Sequence, residues 1–158
     1  MSGSHVLLLA FAIGVIAGLR AITAPAVTAW AAHLGWISLH GTPLAFMGSI
    51  IAVIVFTLAA AGELVNDKLP KTPSRLSPGG LIPRILFGGL SGAAVALAGA
   101  QSLWLGVALG IVGCLAGAVA GYQVRSRIVK ALGIKDLYVA LLEDLVAIGG
   151  GLFIVSHL

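Results

Sequence analysis

The chain reads as an all-α, polytopic helical membrane protein with about five transmembrane segments, and three observations carry that reading. Of its 158 residues 59% are hydrophobic and only 9% charged, whereas an ordinary soluble domain carries roughly 25% charged residues. Mean hydropathy is +1.13, a value that a soluble core of this length could not hide. Apolar stretches near the roughly 20 residues that a spanning helix needs follow one another along the whole chain. The 22 glycines fit the same class, because small residues let membrane helices approach closely. Residues 1–158 are therefore expected to form a single transmembrane domain, with no room for a second, soluble one.

The first apolar stretch, 6–32, is longer than one span requires and contains Arg20, Thr23 and Pro25. Proline removes a backbone donor and kinks or breaks a helix, so this segment is expected to be kinked or broken near Pro25. The favoured form is a single kinked helix, with the N-terminus inside and the C-terminus outside. In the alternative, two shorter helices form a hairpin with Arg20 at its inner tip, and the N-terminus moves outside. Residues 1–5 lack the Lys or Arg that precedes a signal-peptide apolar region, so the stretch is expected to be retained.

The remaining segments are 44–65, 85–100, 103–123 and 137–156. Between the second and third lies a stretch, 66–84, rich in Pro and basic residues; with four prolines and two glycines in 69–84, that part is not expected to form a regular helix. Lys68, Lys71, Arg75 and Arg84 lie there, while Arg125, Arg127, Lys130 and Lys135 lie in 124–136. Retained loops are enriched in Lys and Arg, so both basic loops are expected on the cytoplasmic side of the membrane. Trp30, Trp36 and Trp104 then fall at outer ends and Tyr122 and Tyr138 at inner ends, as interfacial aromatics should.

Internal repetition is weak. Ala17-Gly18 before Arg20 is echoed by Ala120-Gly121 before Arg125, and Glu63-Leu-Val by Glu143-Asp-Leu-Val. One segment between the pairs would make the halves an inverted repeat, a transporter architecture. Small residues at i, i+4 spacing recur at Gly14 and Gly18, Gly88 and Gly92, Gly106 and Gly110, and from Gly113 through Gly117 to Gly121. Such faces pack either within a subunit or between subunits. Five short helices enclose little, so a homo-oligomer is expected.

Ionisable groups inside spans are the main functional clue, because a charge at the bilayer centre costs about 2.5 to 3.5 kcal/mol on insertion scales and is normally partnered. Arg20, Glu63, Glu143 and Asp144 are the candidate ion or substrate pathway. Asp67, Lys68, Arg84 and Arg125 form a supporting interface. Glu143 and Asp144 project about 100° apart on a helix, so at least one should face the interior. They either bind a cation or proton or form salt bridges with Arg20, Arg84 or Arg125.

Other chemistry finds little support. The single Cys114 forms no intramolecular disulfide and reads as a small buried hydrophobe. His5, His33, His40 and His157 all lie at segment ends or in loops, and no spacing suggests a metal cluster, a catalytic triad or a phosphate-binding loop. No metal, cofactor or catalytic residue is expected, nor nucleic-acid binding, which needs a solvated basic domain.

At 18–30 (GLRAITAPAVTAW), 62–75 (GELVNDKLPKTPSR) and 142–147 (LEDLVA) the chain resembles bacterial membrane proteins of the domain-of-unknown-function family 4126. The clearest mark is Asp67-Lys68-Leu69-Pro70 followed by a Pro-rich stretch and Arg84. The resemblance implies a bacterial multi-pass membrane protein and no assigned activity. The leading expectation is a small transporter or channel whose partners are the bilayer, a small ion or polar solute, and copies of itself. The alternatives are a lipid-handling or lipid-binding protein, whose Pro-rich basic loop meets phosphate head groups, and a structural or accessory subunit.

Overall fold

A computed structural model describes residues 2–68, 76–133 and 135–158. The described residues form six α-helices and no strand: α1 (Gly3–Leu19), α2 (Thr23–His33), α3 (Ile50–Asn66), α4 (Pro78–Ala98), α5 (Leu103–Leu132) and α6 (Asp136–Val155), with one 3-10 turn at Ala45–Gly48 before α3. The last three are long and apolar enough to cross a membrane, and α1 and α3 are apolar helices of 17 residues each. This is a helical membrane protein. Its outward faces are apolar: Ile51, Leu58, Trp104 and Leu145 are 68–77% exposed.

The first segment is two helices in a hairpin with Arg20 at its tip, so of the two expected forms the alternative holds and the favoured single kinked helix is corrected. Arg20 adopts an extended conformation (φ −138°, ψ 108°), the chain turns through Ala21 and Ile22, and α2 starts at Thr23. Pro25 lies in the first turn of α2, where an N–H has no intrahelical partner to lose, so the break precedes the proline. Trp30 Nε1 donates to Thr57 Oγ1 at 3.0 Å while the Ala21 and Ile22 amides meet Glu63, so α2 and α3 run antiparallel.

Glycines set the direction of the other helices. A Cβ on Gly14 would overlap the Gly110 carbonyl, one on Gly18 would strike Cys114 and Ala118, and one on Gly92 would overlap Gly106 and Gly110. Helices α1 and α5 therefore run parallel in near-backbone contact, with α4 antiparallel to both. The spaced glycines are thus used within the subunit, where close approach replaces the hydrophobic drive that lipid cannot supply. Val27 of α2 packs on Gly151 of α6, and Val155 and Leu158 join Val27 and Ala31, so α6 rises beside α2.

The six described helices thus alternate in direction along the bundle. Gly3 lies against Gln101 of the α4–α5 turn, and Leu158 and Ala98 pack against the same cluster around Ala31 and Val155. Both termini lie at that end, opposite Arg20, which corrects the expectation of an inside N-terminus paired with an outside C-terminus. Because α1 and α5 run in the same direction, the echo between the Arg20 and Arg125 elements is not an inversion.

Two further boundaries differ. Helix α4 begins at Pro78, so residues 78–84 are helical although the proline content argued against it. Pro78 occupies the first helical turn and Pro83 lies inside the helix. Helix α5 continues to Leu132 and ends where Gly133 turns left-handed (φ 61°), so most of the basic stretch 124–136 is helix. Lys71 and Arg75, with the rest of 69–75, lie outside the described residues.

Candidate functional site

The turn at Arg20 delivers a guanidinium into the base of the bundle, where it is fully buried. Its Nε donates to Asp144 Oδ1 at 2.6 Å, Nη1 lies 2.6 Å from Asp67 Oδ2, and Nη2 lies 3.7 Å from Glu143 Oε2 and donates to the Ala140 carbonyl at 3.5 Å. Both neighbouring carboxylates of α6 therefore face the interior. Arg20 joins the hairpin tip to the end of α3 and to α6 at once.

Two further cations close the network. Lys68 Nζ donates to Asp144 Oδ2 at 2.7 Å and to the Leu64 carbonyl at 2.8 Å. From α5, Arg125 Nη1 donates to Asp67 Oδ2 at 2.8 Å and to Glu143 Oε2 at 3.4 Å, while its Nε and Nη2 grip both oxygens of Asp136 at 2.8 and 2.6 Å. Asp67 lies just past α3. Burial alone would raise its carboxyl, but the bonded Arg125 and Arg20 guanidiniums hold it below the ordinary aspartate range.

Glu63 stands apart from this network. Its Oε1 and Oε2 accept the Ala21 and Ile22 amides at 2.7 and 2.8 Å. The first amides of a helix have no intrahelical partner and carry a partial positive charge, so Glu63 of α3 acts as an anionic cap on α2. Arg84 lies on the same side of the tip, buried, and donates from Nε to the Gly18 carbonyl at 3.1 Å and from Nη1 to the Gly80 carbonyl at 2.6 Å.

Between these elements opens a cleft of about 390 Å³ lined by Ala21, Ile22, Glu63, Asn66, Asp67, Gly79, Gly80, Pro83 and Arg84 among others. Pro83 has no N–H to give Gly79, which leaves that carbonyl without its helical donor at the cleft wall. A cleft of this size with carboxylates, a guanidinium and backbone carbonyls suits a small polar or charged species. Among the described residues no three His, Cys, Asp or Glu are placed to hold a metal ion.

The structure thus gathers Arg20, Glu143 and Asp144 with Asp67, Lys68 and Arg125, and places Glu63 and Arg84 on the far side of Asp67. Sequence reasoning gave Asp67 only a supporting, interfacial place and missed Asp136. The spacing of Glu63 and Asp67 was the available signal, since residues four apart share a helix face. No curated protein and no solved structure matches the chain. The model of the family described as Domain of unknown function (DUF4126) matches residues 7–157, and the chain belongs to that family.

Proposed function

We propose that this membrane protein passes a small ion or polar solute, as a transporter or channel, entered through the cleft at the hairpin tip. The observation that carries the reading is Asp67, one carboxylate that both lines the cleft and pairs with Arg20 and Arg125. A cation or proton reaching Asp67 from the cleft would weaken its hold on both guanidiniums. Occupancy of the cleft would then be felt by the contacts that tie α3, α5 and α6 to the tip. Broken helices whose ends meet a polar site are a recurrent transporter arrangement, which is a likeness of architecture alone.

On this reading Arg20, Glu63, Glu143 and Asp144 form the pathway with Asp67 added, and Lys68, Arg84 and Arg125 support it. The location is a bacterial inner membrane with the basic end cytoplasmic, and copies of the chain associate with one another. A second reading is favoured by how fully Arg20 is paired: an accessory subunit whose charges only join helices. Flux of monovalent cations and small solutes into liposomes separates the two. Wild-type flux that disappears in Asp67→Asn, with the variant still folded, supports transport. Absence of wild-type flux across the panel, with Asp67→Asn merely less stable, would leave the accessory reading.

A further inference from the structure

A second cavity, independent of the transport reading, lies on the flank of the bundle. Helices α5 and α6 diverge on either side of α1, leaving a groove of about 380 Å³. Val15 and Leu19 of α1 form its floor, Gly117 and Ala120 stand on the α5 side, and Val139 and Val146 on the α6 side. Small residues together with Val124 and Ile128 on the α5 wall, and branched apolar residues on the α6 wall, leave a channel whose only charged lining is Arg125 and Glu143 toward its basic end. There the Arg125–Asp136 pair bridges α5 and α6.

The basic end carries charge that the protein itself does not neutralise. Arg127, Lys130 and Lys135 are exposed, and none has an ion pair or side-chain hydrogen bond to any described residue. Arg127 follows Ala120 by seven residues, nearly two turns along the same stripe of α5, so a cation stands directly beyond the groove wall. Tyr122 and Tyr138 are 48% and 57% exposed on the two flanking helices, at the depth where aromatic rings favour the membrane interface. An apolar slot in the hydrocarbon region, with exposed cations that have no partner among the described residues just beyond its basic end, matches an anionic phospholipid in both chemistry and order.

A second copy of the chain fits less well. In a two-fold pair the same patch meets itself, which would bring Arg127, Lys130 and Lys135 toward their own counterparts. We propose that the α5–α6 groove binds an acyl chain of an anionic phospholipid, whose phosphate head group is held by Arg127, Lys130 and Lys135.

The test uses the full chain in nanodiscs of equal phosphatidylglycerol and phosphatidylcholine, released into native mass spectrometry. Wild type should keep phosphatidylglycerol in preference to phosphatidylcholine. Ala120→Trp fills the groove from an exposed position and should lose that lipid. The surface variant Arg127→Gln/Lys130→Gln/Lys135→Gln should lose the preference, by about fivefold per cation removed. Equal retention of both lipids by wild type, or an unchanged preference in the triple variant, overturns the head-group assignment. An Ala120→Trp protein that keeps its lipid overturns the groove, as does one that only turns a dimer into a monomer, which would make the occupant a second copy. Should Ala120→Trp fail to fold, the triple variant still decides, because it alters exposed side chains alone.

Discussion

Arg20 and Asp144, 124 positions apart in sequence, meet through a 2.6 Å bond from Nε to Oδ1 that fastens the tip of the first hairpin to the last helix. The same guanidinium also faces Asp67 and Glu143. Removing one partner of a buried pair leaves an uncompensated charge and typically costs about 3–5 kcal/mol. Arg20→Ala is therefore expected to lower the unfolding temperature more than any other single charge change here. Exchanging Arg20 with Asp144 should not restore stability, because the carboxylate placed at the tip would face Asp67 and Glu143. Thermal unfolding in detergent checks both, and a restored exchange variant would show that the Asp144 contact alone matters.

The cap on α2 gives a second expectation. Glu63 accepts two backbone amides at once, and hydrogen bonds to a charged group contribute about 1.5–3 kcal/mol each. Glu63→Gln retains one carbonyl acceptor and turns an amide group toward the other N–H, so it should lose roughly one such bond. Hydrogen exchange should then quicken at Ala21 and Ile22 while α5 stays protected. Unchanged exchange at the tip would mean that the turn holds without its anionic cap.

Much of the fold is legible in the sequence, and the exceptions have physical causes. Hydropathy locates α6 to within one residue at each end, because Leu137 through Ser156 is uniformly apolar apart from its two carboxylates. The same signal merges α1 with α2; Arg20 and Pro25 mark a break locally but do not choose between a kinked helix and a hairpin, because the reversal is stabilised by Glu63 from a distant helix. It also ends α5 too early, because charged residues that would leave the bilayer on an ideal helix instead pair sideways, Arg125 with Asp136 and Glu143. The candidate site was legible as charges out of place. Which carboxylate is central was not, because Asp67 lies beyond the apolar stretch and gains its importance only where the tip folds back.

Glycine substitutions should divide sharply by helix face. A Cβ at Gly113 would overlap the Phe11 carbonyl and one at Gly110 the Gly88 carbonyl, both rigid backbone, whereas a Cβ at Gly62 or Gly149 meets nothing within 4 Å. Gly110→Ala and Gly113→Ala are expected to abolish folding or strongly lower stability. Gly62→Ala should be neutral or stabilising by about 0.5–1 kcal/mol through helix propensity. Comparable losses at all three positions would contradict intramolecular packing of the glycine stripe.

Acid should act through Asp67 with a definite sign. Its carboxyl is held below the ordinary value by Arg125 and Arg20 despite burial, so its contribution is present above the unfolded aspartate pKa of about 3.9. It is lost as the pH falls through the lower folded value. Wild type should lose stability below about pH 3.9, and Asp67→Asn should lose less over that interval while starting lower at pH 7. Parallel curves for the two proteins would place the acid-sensitive groups elsewhere in the network.

Topology supplies the broadest test, because it depends on the hairpin and not on any one contact. With α1 and α2 antiparallel, the N- and C-termini share one side and the basic ends of α5 and α6 share the other. Reporters fused to either terminus should give the same sidedness. A cysteine placed at Arg127, in a protein whose Cys114 is buried, should react with an impermeant thiol reagent only from the opposite side. Termini on opposite sides would require α1 to continue through Arg20 as one helix. That arrangement would separate the Ala21 and Ile22 amides from Glu63 and dismantle the cleft along with the hairpin.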